Sequence, residues 1–147
     1  MRGKPFFMPI KHSRSTVTAT KARPHEDNER GMGRVAGRIC SNFWVERNGE
    51  VVLSEWRVAL LEAVAEAGSI SAAAARQGVH FRVAWRKLQE MEDRLGVKLT
   101  ERTTGGPRGG GTQLTADGVE CVRRFRQFTA GLQDLIERRF AEAFEES

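Results

Sequence analysis

The chain has 147 residues, 39% apolar and 29% charged, with a net charge of +5. That fits one domain with a modest core, or a small domain with a tail, and it is too charged for a membrane protein. No run approaches the ~18 apolar residues of a transmembrane helix, and no basic start leads into an apolar stretch with a small-residue cleavage site. Cys40 and Cys121 form neither a disulfide framework nor a CxxC pair, and His12, His25 and His80 cluster with neither. No metal, no cofactor and no redox motif are therefore expected, and the setting read from cysteine usage is reducing and cytoplasmic.

Charge placement says more than net charge. Residues 1–40 hold nine basic and three acidic residues, 41–75 two and five, 76–108 eight and four, and 109–147 five and seven. One basic segment thus lies between two acidic ones in the part expected to fold. A localised basic patch is the electrostatic footprint of a nucleic-acid binder; a solvated charged face is the plain alternative.

Residues 1–40 show no periodicity and read as a disordered basic tail. From Phe43 onward, Phe43–Glu46 and Glu50–Leu53 flank Arg47-Asn48-Gly49, a strong hairpin signal. Ser54 is placed to cap a helix through about Ala67, with Trp56, Leu60 and Val64 on its buried stripe beside Ala59, Ala63 and Ala67, and Gly68 as its stop. Ser71 is read as the cap of a short alanine helix, Ala72–Gln77, followed by the break Gly78-Val79. A third helix is predicted from about Phe81 to Leu95, stopped by Gly96. A short helix, a glycine-containing turn and a longer helix are the grammar of a helix-turn-helix.

Lys98–Thr103 and Thr112–Leu114 are predicted strands around a glycine-rich loop, Gly105–Gly111, which makes a wing. Thr115 then caps a last helix predicted to run unbroken to about Phe144, roughly 43 Å at 1.5 Å per residue. Its apolar set includes Val119, Val122, Phe125, Phe128, Leu132, Leu135, Ile136, Phe140 and Phe144. The stripe outruns what a small domain covers, so its far end is expected to bury itself on a second copy. The expected interface is Phe125, Phe128, Leu132, Leu135, Ile136, Phe140 and Phe144.

On the third helix, with Ala84 at 0°, Leu88, Met91 and Leu95 fall within about 40° and form the core face, while Arg82, Arg86 and Gln89 fall at about 160°, 200° and 140°. Two arginines and a glutamine on the exposed face suit major-groove readout of guanine and adenine. Phe81, at about 60°, stands open between core packing and contact with a thymine methyl; Trp85, at about 100°, is assigned a packing role in preference to contact with the DNA backbone. Glu90-x-Glu92-Asp93 reads as solvated surface. Gly105-x4-Gly110 has phosphate-loop spacing, but Gly111 stands where the motif needs Lys, so the loop is read as a wing with Arg108 at its tip, reaching a phosphate or the minor groove. No catalytic constellation is found, and Cys121 beside the apolar stripe is assigned to packing.

Gly68-Ser69-Ile70-Ser71, Ala73-Ala74, Gly78-Val79, Ala84-Trp85 and the run Glu101–Gly118 resemble the N-terminal domain of molybdate-responsive (ModE-type) transcription regulators. Leu95-Gly96-Val97-Lys98-Leu99 and Leu114-Thr115-x-x-Gly118 are shared with LysR-type regulators, while Ala84-Trp85 and the long glycine wing favour the ModE type. The resemblance covers about residues 43–144. It implies a mainly α fold with small β-hairpins, a winged helix-turn-helix followed by a long dimerisation helix, and a homodimer on a palindromic operator in double-stranded DNA. His80 and Phe81 stand where Ser and Tyr are usual, and Val83 where a polar residue is common, so base preference is expected to differ. Full-length members carry C-terminal oxyanion-binding domains that these residues cannot form, and no small-molecule ligand is expected on this chain.

The expected organisation is a tail (1–40), a winged helix-turn-helix (41–114) and a dimerisation helix (115–147), with DNA contacts from Ser71, His80, Phe81, Arg82, Arg86, Gln89 and Arg108. The competing expectation is a non-enzymatic interaction or nucleoid-type protein that pairs with another regulator through its long helix. Such a protein has no need of a helix face built for reading bases.

Overall fold

In the computed structural model, residues 37–106 and 109–144 are described. The tail reading therefore lies outside the described residues except at 37–40. The first described elements are β1 (Trp44–Arg47) and β2 (Glu50–Ser54), an antiparallel hairpin with Arg47 opposite Glu50. Asn48 (φ 54°) and Gly49 (φ 76°) both take left-handed backbone, the twist that lets two residues close a tight hairpin.

Ser54 starts α1 (Glu55–Ala67) by accepting a hydrogen bond from the Arg57 N–H, and Gly68 ends it in the left-handed conformation. This helix packs against β2, α2 (Ile70–Arg76), α3 (Phe81–Leu95), β4 (Gly109–Leu114) and α4 (Ala116–Thr129). Covered from several sides, it buries Arg57, Val58 and Leu61 as well as the expected Leu60, Ala63 and Val64. The start of α2 differs from expectation. Ser69, not Ser71, caps α2: Ser69 is extended and its hydroxyl accepts from the Ala72 N–H, so Ile70 is already helical and Ser71 stands exposed in the first turn. Ala73 and Ala74 are buried, and their small side chains let α2 lie close within the core shared with α1 and α3. Helix α3 has the predicted bounds, with Ala84, Leu88 and Met91 fully buried.

The wing is longer than read. Strands β3 (Thr100–Gly106) and β4 pair from Thr100 opposite Leu114 to Gly106 opposite Gly109, so most of the glycines lie in the ladder rather than in a loop. The reason is close backbone approach. The Thr112 N–H donates to the Gly68 carbonyl at 2.8 Å, and a Cβ on Gly111 would stand 2.4 Å from that same oxygen. The wing is thereby docked on the end of α1.

Thr115 caps α4 by accepting from the Gly118 N–H and donates its own hydroxyl proton to the Lys98 carbonyl. Arg126 ties α4 to α1 through a two-pronged pair with Glu62 (2.7 and 2.6 Å) and a further bond to Glu55. The helical stretch reaches Phe144 as expected, but it is broken at Ala130-Gly131: Ala130 is non-helical, Gly131 has φ 75°, and α5 (Leu132–Phe144) begins there. The segment before β1 lies along this region, with Ser41 donating to Gln133 and Phe43 meeting Phe128 edge to face.

Gly118 is buried, and a Cβ there would stand 2.2 Å from the Leu99 carbonyl oxygen. Helix propensity alone would favour alanine by about 1 kcal/mol. The carbonyl belongs to the backbone and cannot rotate away, so overpacking decides. Gly118→Ala is expected to lower stability by about 1–3 kcal/mol, measured by urea unfolding; an unchanged midpoint would contradict the close approach.

Candidate nucleic-acid interface

Helix α3 carries four basic residues, Arg82, Arg86, Lys87 and Arg94. Its acidic residues sort them. Glu90 takes the Lys87 ammonium at 3.0 Å and the buried Arg57 guanidinium at 2.7 Å, with Arg94 at 3.8 Å. Arg94 also donates to the Val51 carbonyl at 2.6 Å and pairs with Glu50 at 3.3 Å, which fixes the hairpin to the end of α3. Arg86 only grazes Glu90, at 3.9 Å, and Arg82 makes no ion pair among the described residues. These two exposed arginines, both on the N-terminal half of the helix, are its available cations.

Glu90 and Glu92 correct the reading of that stretch as solvated surface; Asp93 alone fits it. Glu92 is buried, 4% exposed. One of its oxygens accepts from the N–H groups of Leu99 and Thr100 (3.0 and 3.1 Å) and from the Thr100 hydroxyl; the other takes Lys98 at 2.8 Å. Burial by itself would raise the Glu92 pKa, but the bonds from Lys98, Leu99 and Thr100 outweigh it and hold the carboxyl below the usual range. The same balance holds Glu90 down, where Arg57 and Lys87 overcome burial. Sequence periodicity could not find Glu92. At about 80° from Ala84 it is flanked in angle by Phe81 and Trp85, and only the chain returning after Gly96 covers it.

The other expected site residues divide. Gln89 is half-buried, and its amide donates to Glu92 at 3.3 Å, so in this arrangement it is not free to meet a base. Phe81 and Trp85 are each 48% exposed, which removes core packing for the first and the packing role assigned to the second. Both angles lie on the flank that the body leaves uncovered at this end of the helix. His80 is exposed at the N-cap and makes no capping bond with its side chain; Ser71 is exposed on α2. Arg108 lies outside the described residues. Arg102 on β3 is a residue that the sequence reading misses; it is exposed and makes no ion pair among the described residues. Its signal was a basic residue in the wing strand next to a helix already read as basic.

Along α4 and α5, Phe125 is 2% exposed and belongs to the chain's own core, so it is withdrawn from the expected dimer contacts. Phe128, Leu135 and Phe144 remain exposed, and Leu132, Ile136 and Phe140 are half-buried. Burial pushes the Cys121 thiol up, away from nucleophilic character. Among the described residues no group of three or more His, Cys, Asp or Glu is placed to hold a metal ion, and no helix is long and apolar enough to cross a membrane.

Comparison with known proteins bears on this arrangement directly. Residues 57–119, from buried Arg57 through the wing to the first turn of α4, match the family of bacterial regulatory helix-turn-helix proteins, lysR family. These residues are a LysR-type helix-turn-helix domain. Its relatives include ModE-family proteins. The chain is 36% identical over 100 residues to the molybdenum-pterin-binding protein MopB of Rhodobacter capsulatus, covering 68% of this chain and 37% of that protein. It is 38% identical over 69 residues to the DNA-binding transcriptional dual regulator ModE of Escherichia coli K12, covering 47% and 26%. Among solved structures, the CbnR DNA-binding domain in complex with DNA is 34% identical, covering 60% of this chain and 98% of that one, with a TM-score of 0.49. The chain thus spans little more than a third of the length of the first of these relatives. The matched family is one of regulators, not enzymes.

The depressed carboxyls make stability pH-dependent. A carboxyl whose pKa is lower folded than unfolded contributes stability that is complete above the unfolded value, about 4.3 for Glu, and is lost as pH falls below it. Unfolding midpoints should therefore drop on acidification from about pH 5. Glu92→Gln keeps an acceptor for the amides but sets an NH2 group against Lys98. It should be less stable than the parent at pH 7 and lose less between pH 5 and 3. Identical profiles for the two proteins would contradict the assignment.

Proposed function

We propose that this chain binds double-stranded DNA sequence-specifically as a dimeric transcription regulator of the cytoplasm, with α3 in the major groove and the wing on the flanking backbone. The observation that carries the reading is the sorting of charge on α3. Lys87 and Arg94 are held by Glu90 and Glu50, while Arg82 and Arg86 stand exposed on the face opposite the core. Arginine presents a rigid fork that matches O6 and N7 of guanine. His80 and Ser71 are assigned to backbone or edge contacts at the N-terminal end of α3 and on α2. Arg102 and Arg108 are assigned to phosphates, and Gln89 to a base contact that requires it to leave Glu92.

The dimer is assigned to Phe128, Leu132, Leu135, Ile136, Phe140 and Phe144. Phe128 is 53% and Leu135 41% exposed, and burying such a side chain fully is worth roughly 1.5–3 kcal/mol. A two-fold dimer places two α3 helices on two half-sites, which is why a palindromic operator is assigned.

Titration of operator and scrambled duplexes at several salt concentrations tests the whole reading. Arg82→Ala and Arg86→Ala should each cost about 1–3 kcal/mol on the operator and much less on scrambled DNA. Arg102→Ala and Arg108→Ala should weaken both alike and reduce the salt slope by about one. The stoichiometry should be two chains per palindrome. Equal losses on both DNAs for Arg82→Ala would make it a phosphate contact, and one chain per duplex would remove the dimer.

A further inference from the structure

Helix α3 presents a second strip that the arginines do not explain. Phe81 and Trp85 lie one turn apart, each 48% exposed, at the same end of the helix as Arg82 and Arg86. Measured from Ala84, the aromatic strip lies at about 60–100° and the cationic strip at about 160–200°. An α-helix with its side chains is about 10–12 Å across and the major groove about 12 Å wide. A helix that turns its arginines to the base edges therefore brings the aromatic strip into the same groove.

The apolar group that the four base pairs display in that groove is the C5 methyl of thymine. We propose that Phe81 and Trp85 form a thymine-methyl reader beside the guanine-reading arginines. Residues four apart are separated by about 6 Å along the helix, close to two base steps of 3.4 Å. The pair thus takes two thymines about two steps apart, next to the positions read by Arg82 and Arg86. Phe81 and Trp85 are specificity-determining residues in this account, because neither carries a charge to hold non-specific DNA. The proposal rests on the DNA-binding reading above and names the chemistry of its site.

The test alters the DNA and leaves the fold untouched. A preferred duplex is selected from random DNA with the full chain, and each thymine is then replaced singly by deoxyuridine, which lacks only the methyl. At two positions near the guanines, the wild-type chain should bind the deoxyuridine duplex about fourfold more weakly per methyl removed. Phe81→Ala should be indifferent to the replacement at one of those positions and Trp85→Ala at the other. Both are surface substitutions whose folding is checked by circular dichroism. Equal affinity of the wild-type chain for thymine and deoxyuridine duplexes, with sequence preference intact, would overturn the methyl reader and leave DNA recognition standing. So would Phe81→Ala and Trp85→Ala chains that keep the full deoxyuridine penalty, as they would if the strip docks another protein. Selection that enriches no sequence would instead overturn the DNA-binding reading, and the reader with it.

Discussion

Glu92 joins two elements that have to act together. A helix alone does not fix where a following hairpin points. Here one buried carboxylate takes the amides of Leu99 and Thr100 on the returning chain and the ammonium of Lys98. The geometry suits a carboxylate, which accepts several donors at once and gains strength when those donors are shielded from water. Removing it leaves the Leu99 N–H buried without a partner, a loss of about 1–3 kcal/mol for such a group. The second strand of the wing rests on the Gly68 carbonyl through the Thr112 N–H, and the start of α4 on the Lys98 and Leu99 carbonyls. Helix, wing and α4 thus share one short segment, Lys98–Thr100, as their common support.

The same economy governs charge. The basic segment 76–108 has eight cations, but most of those that the fold fixes are structural: Lys87 and Arg94 hold Glu90 and the hairpin, Lys98 holds Glu92, and Arg76 pairs with Glu66. What remains exposed without a close acidic partner among the described residues is Arg82, Arg86 and Arg102. A patch read from composition alone overstates the number of charges available to a polyanion. Arg82 and Arg86 lie on the face of α3 opposite its core side, and Arg102 on the first strand of the wing.

Local signals were legible where one residue type has one physical use. Asn48-Gly49, Ser54, Gly68, Gly96 and Thr115 placed the hairpin, the start and end of α1, the end of α3 and the start of α4. Two serines two residues apart were not separable by type, and Ser69 rather than Ser71 took the cap because its backbone is the extended one. The wing glycines read from the sequence as a flexible loop, whereas Gly111 serves by lacking a Cβ against the Gly68 carbonyl and Gly110 by lacking one against the Thr103 carbonyl. Gly131 sat inside a helical apolar pattern, and the pattern outweighed the break. Phe125 followed the same stripe as Phe128, yet only packing of α4 on the core decides which of them is covered. Arg82 and Arg86 followed from helix angle alone. Glu92, Gln89 and Trp85 depended on where the chain returns, which angle does not encode.

The central claim is that α3 and the wing form one DNA-facing surface while α4 and α5 do not touch the duplex. Amide chemical-shift changes in the isotopically labelled chain, followed during titration with a specific duplex, test it most directly. The account predicts that changes concentrate at residues 80–89 and around Arg102, and leave Leu132–Phe144 unmoved. Changes centred on α5, with 80–89 silent, would contradict it.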